Sequence, residues 1–73
     1  MDEKALKELM LKENAEFRKL HDGHQACEKR LESLQGKSFL NEQEKLEERE
    51  LKKRKLALKD RMYKMMAEFR KTL

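Results

Sequence analysis

The chain has 73 residues, of which 47% are Asp, Glu, Lys or Arg, and a net charge of +4. With a mean hydropathy of −1.14, it has no run approaching the roughly 20 apolar residues that a membrane-spanning helix needs. Its apolar residues suffice for one small core, so we read residues 1–73 as a single unit.

The lone Cys27 excludes an internal disulfide and fits a reducing compartment. The opening stretch MDEKALKELMLKE alternates charged and apolar residues. We therefore expect no secretory signal and a cytoplasmic location. The absence of Pro and the regular apolar period argue for long helices over disorder. Residues 1–35 carry seven Lys/Arg and eight Asp/Glu, whereas residues 36–73 carry twelve and seven. The two halves can attract each other, a bland outlet for the charge that comes before any nucleic acid.

From Leu6 to Leu34 the apolar residues step by threes and fours. With Met10, Phe17, His24 and Leu31 at a positions, Leu6, Glu13, Leu20, Cys27 and Leu34 fall at d. The pattern predicts one helix over residues 3–35, with Asp2 and Glu3 suited to the positive end of its dipole. Asp22-Gly23 is a turn signal, but the stripe continues through it in phase, so the helix is kept whole. Gly23 then weakens it by about 1 kcal/mol relative to Ala and marks a flexible point. Gly36 is the expected stop, in the left-handed conformation that glycine tolerates.

A connection over residues 36–41 follows, with Phe39 and Leu40 expected to cover the open end of the pair of helices. Asn41 and Glu44 stand at capping-box spacing for a second helix over residues 42–70. Its Glu48–Lys52, Glu50–Arg54 and Asp60–Lys64 spacings favour ion pairs. Its stripe runs through Leu51, Lys55, Leu58, Met62, Met65, Phe69 and Thr72.

The expected fold is all-α: two long antiparallel helices in a coiled-coil-like hairpin. A reversal near Ser38 would set Phe17 by Leu58, Leu20 by Lys55, and His24 by Leu51 and Lys52. The predicted core stripe is Phe17, Leu20, His24, Leu31, Leu51, Leu58, Met62, Met65 and Phe69. Two helices bury little, and Leu9, Leu11, Leu56, Tyr63 and Ala67 lie off the stripe. Dimerisation into a four-helix bundle would cover them.

Several of these residues match a known family. The spacing N-x-x-F-x-x-L-x-x-x-H, made here by Asn14, Phe17, Leu20 and His24, and the run LKKRKLALKD from Leu51 to Asp60 resemble the small bacterial YdcH-like proteins. Phe39-Leu40 before the acidic run matches as well. The resemblance extends from about Leu6 to Met66 and implies a cytosolic bacterial protein with a two-helix fold. It brings no established activity. Cys27 stands where that family usually has Leu, and Arg61 where it usually has Glu.

The chemistry concentrates in the second helix. Six basic residues and one acid lie between Lys52 and Arg61. Lys52, Lys53, Arg54, Leu56, Lys59, Arg61 and Tyr63 are the candidate partner surface. The plain reading is a solvated, partly paired helix face. The functional readings are an acidic protein partner and, behind it, nucleic acid or a membrane surface bound through phosphates. Against nucleic acid, the charge is spread around the helix and only Tyr63 could stack on a base.

His21, His24 and Cys27 form H-x-x-H-x-x-C, which lacks the four ligands of a closed zinc site, so we read a packed histidine and a small core thiol. Lys55 and Glu13 are polar intrusions in the stripe, read mainly as side chains that snorkel to solvent. No Gly-rich phosphate loop and no paired nucleophile and base occur. The expectation is a non-enzymatic, cofactor-free helical protein that self-associates and docks another protein.

Overall fold

The computed structural model describes residues 2–73 and is all-α, with three helices: α1 (Glu3–Glu13), α2 (Ala15–Gln35) and α3 (Glu42–Arg70). No strand occurs among the described residues. The single long helix expected over residues 3–35 is therefore divided at Asn14.

The division follows from local chemistry. Asn14 is extended, at φ −120° and ψ 107°, and serves both helices. Its backbone N–H donates to the Met10 carbonyl at 2.8 Å, closing α1. Its side-chain Oδ1 accepts from the Phe17 N–H at 3.0 Å, opening α2. Asparagine competes for backbone groups in helix interiors and is among the best N-caps. A straight helix would also have pointed Glu13 into the apolar seam, whereas the break leaves Glu13 exposed. Asp2 caps α1 in the same way, accepting from the Ala5 N–H at 2.7 Å.

After the break, the two segments are folded against each other. In a continuous helix Glu3 and His24 would stand about 30 Å apart, yet here they line one cleft, together with Lys7, Lys59 and Met62. Leu6 and Met10 from α1 join Phe17 and Leu20 from α2 and Met62 and Met66 from α3 in one buried cluster. Leu11 packs against that cluster, so it is not surplus for a second chain as the sequence suggested.

The α2–α3 contacts run in opposite directions along the two helices: Arg30 meets Glu47, Glu28 meets Lys55, and Glu16 meets Arg61. The register differs from the expected one by about a helical turn. Phe17 sits with Met62 and Met66, because α1 supplies a third wall there. Leu58 lies instead over Gly23, where an added Cβ would stand 3.4 Å from its Cδ1. Gly23 is thus a packing position inside a continuous α2.

Gly36 ends α2 in right-handed geometry, φ −74° and ψ −12°, not the left-handed one expected. Its N–H donates to Glu32 at 3.0 Å and that of Lys37 to Leu34 at 3.2 Å, so one tightened turn satisfies these carbonyls without inverting the backbone. Asn41 and Glu44 form the reciprocal capping box of α3, at 2.8 and 3.1 Å. Lys37 is also ion-paired with Glu44. Of the two residues expected to cover the open end, Phe39 is instead 78% exposed and Leu40 is half-buried.

Burial is uneven along the 48 Å long axis. Cys27, Leu31 and Leu34 are buried on α2, but the only buried residues of α3 are Met62 and Met66. Opposite the lower part of α2, the half-buried residues of α3 are Glu44, Glu47, Glu48, Leu51 and Lys55. Their aliphatic stems, as much as any apolar side chain, cover that part of the core.

Candidate interaction surface

α3 presents its core face at Leu51, Leu58, Met62, Met65 and Phe69. Met62 is buried and the other four are half-buried. On the α2 side, Phe17, Leu20 and Leu31 are buried and His24 is half-buried. Met66, which the sequence stripe missed, is buried. Its spacing four residues after Met62 is the signal that pointed to it.

All seven residues of the candidate partner surface are exposed, but they do not share one face. At 100° per residue, Lys53 and Leu56 lie on the side of α3 away from α2, Lys52 lies beside them, Lys59 and Tyr63 border the cleft that His24 also lines, and Arg54 and Arg61 turn toward the other flank. Arg61 there reaches Glu16 at 3.5 Å. Lys52 meets Glu48 at 3.8 Å, and the Lys59 ammonium stands 5.8 Å from the centre of the Tyr63 ring. Part of the basic run is thus met within the chain, while Leu56 remains 59% and Tyr63 48% exposed. Leu46, a further residue on that side that the sequence reading passed over, is 57% exposed.

Where the three helices meet, the cleft measures about 80 Å³, below the usual 300–1,000 Å³ of a ligand pocket. His24 borders it, and its Nε2 is buried without a hydrogen-bond partner. Burial lowers the His24 pKa, with opposition from Glu28 and reinforcement from Lys55, Lys59 and Lys7. The Lys55 ammonium contacts Glu28 at 3.1 Å and lowers the pKa of that carboxyl. The intruding lysine of the stripe is thus half-buried and held by an ion pair.

His21, by contrast, faces Gln25 and Asp22, and Cys27 is buried in α2. Among the described residues, no three His, Cys, Asp or Glu side chains converge to hold a metal ion. No described helix is long and apolar enough to cross a membrane.

Residues 17–66 match the model of a family described as protein of unknown function (DUF465). The match covers more than half of the chain, which belongs to that family. It begins at Phe17 and ends at Met66, two members of the buried cluster, and leaves out α1. Neither the curated proteins nor the solved structures yielded a match.

Proposed function

We propose that this DUF465 chain is a non-enzymatic helical module of the bacterial cytoplasm that self-associates and docks another protein through the outer side of α3. The observation that carries the reading is the set of exposed apolar residues on α3, with Leu46 and Leu56 turned away from the chain's own core and Tyr63 at the rim of its cleft, all set among lysines. Contiguous apolar surface rimmed by polar residues marks interaction sites. The small cleft, lined by methionines and charged side chains, supports a binding role over a catalytic one.

The test is capture from bacterial lysate with the intact protein, eluted stepwise with salt and with nuclease. Discrete proteins that survive nuclease and moderate salt, and that are lost with Lys52→Glu, are the expected result. Material released by nuclease and low salt would replace this reading with nucleic-acid binding. Lys53→Glu, Arg54→Glu and Lys59→Glu should then abolish retention.

A further inference from the structure

The outer side of α3 carries an order of residues that complements itself. Its three exposed large apolar residues, Leu46, Leu56 and Tyr63, fall on one stripe. The positions between them on that stripe are Arg49, Lys53 and Asp60, all exposed. The stripe spans about 100° of the helix and lies opposite the core face.

We infer that a second copy of this chain packs antiparallel along this stripe, about a two-fold axis between Lys53 and Leu56. The inference rests on the self-association proposed above and names its interface, which leaves the Lys52 and Arg54 flanks of α3 to the protein partner. In that register Leu46 of one copy is level with Tyr63 of the other, Arg49 with Asp60, and Lys53 with Leu56. Each pair occurs twice, as an isologous contact requires. Apolar meets apolar, opposite charges meet, and the Lys53 stem lies over Leu56 with its ammonium in water. The two Leu56 side chains are neighbours across the axis.

A parallel pair would set Arg49 on Arg49, Lys53 on Lys53 and Asp60 on Asp60, so charge selects the antiparallel arrangement. The same register lays the three-helix end of each copy beside the connection end of the other, where burial is sparse. Lys45 of the second copy then comes level with Lys64, one residue past Tyr63 and toward the acidic Glu3 that lines a cleft with Tyr63.

The experiment combines sedimentation with a short thiol-to-thiol cross-linker in a Cys27→Ala background, with helicity checked by circular dichroism. Leu56→Cys should cross-link to itself. Leu46→Cys should not, because its two copies stand about 26 Å apart along the axis, but it should cross-link when mixed with Tyr63→Cys. Arg49→Asp and Asp60→Arg should each weaken the dimer about five- to thirtyfold, and together restore it. A dimer in which Leu46→Cys self-links, or Leu56→Cys does not, overturns the interface and leaves self-association standing. A strict monomer at millimolar concentration overturns both.

Discussion

The two ends of this molecule solve one problem with different materials. At the three-helix end, Leu6, Met10, Phe17, Leu20, Met62 and Met66 close a core from three directions. At the connection end, Cys27, Leu31 and Leu34 are buried by a helix that offers them half-buried charged side chains and Leu51. Ion pairs accompany that thinner cover: Arg30 grips Glu47 through two hydrogen bonds of 2.9 and 2.8 Å. The difference teaches that an 11-residue α1 is enough to turn a helix pair into a true core over part of its length. The remainder relies on charged stems and exposed pairs, which contribute little individually.

Substitutions can break that comparison. The largest effect is expected from Phe17→Ala, which empties the centre of the three-helix end and should cost about 3–5 kcal/mol. Leu31→Ala at the connection end should cost about 2 kcal/mol, because a thinly covered site collapses more easily. Denaturant titration of the two variants gives the ranking, and a larger loss for Leu31→Ala would reverse our view of which end holds the fold.

A smaller loss of about 1 kcal/mol is expected for Asn14→Ala, which removes the cap of α2. It should be accompanied by loosening of α1, seen as faster amide exchange over residues 3–13. Gly23→Ala should act in the other direction. The added methyl meets Leu58 at an ordinary contact distance of 3.4 Å, so the gain in helix propensity, about 1 kcal/mol, should appear in the midpoint of unfolding. A loss there would show that Leu58 cannot give way.

The smallest effects are those of pH. Folded His24 resists protonation because it is buried, while the unfolded residue takes a proton near 6.5. The unfolded state then binds more protons, and stability falls as pH drops below about 6.5 until the folded residue also titrates. His24→Gln should flatten the melting temperature over that range. The carboxyls of Glu44 and Glu47 are held below their ordinary value, chiefly by Lys37 and Arg30. Their contribution is present above about 4.5 and is lost as pH falls through the lowered values. Mild acid should therefore act first beside the cleft where the three helices meet, through His24, and stronger acid then on the connection end, which exchange rates along α3 would report.

Much of this fold was legible where the signal was local. Asn41 and Glu44 announce the start of α3 within four residues, and the capping box forms as their spacing suggests. Asn14 carries similar chemistry, but the apolar stripe runs through it in phase and hides it. The stripe stays in phase because α1 and α2 both turn their apolar residues toward the same cluster. A sequence period cannot separate a straight helix from one that doubles back onto its own seam.

The outer stripe was half legible for a related reason. Leu56, Tyr63 and Ala67 stood out beside one another, whereas Leu46 is ten residues from Leu56 and screened by charged neighbours. The candidate partner surface grouped residues that adjoin in sequence, although their charge was already read as spread around the helix. Helical rotation sends Arg54 and Arg61 to a different flank.

The chain also carries its own clock for opening. Cys27 is its only thiol and is buried in α2 outside the three-helix cluster. An alkylating reagent can reach it only when the α2–α3 contact parts, so the labelling rate measures how often that happens. At low reagent the rate follows the open population, and at saturating reagent it follows the opening step itself. Comparing it with global unfolding would reveal whether the two ends part together or one at a time, with no label engineered into the protein.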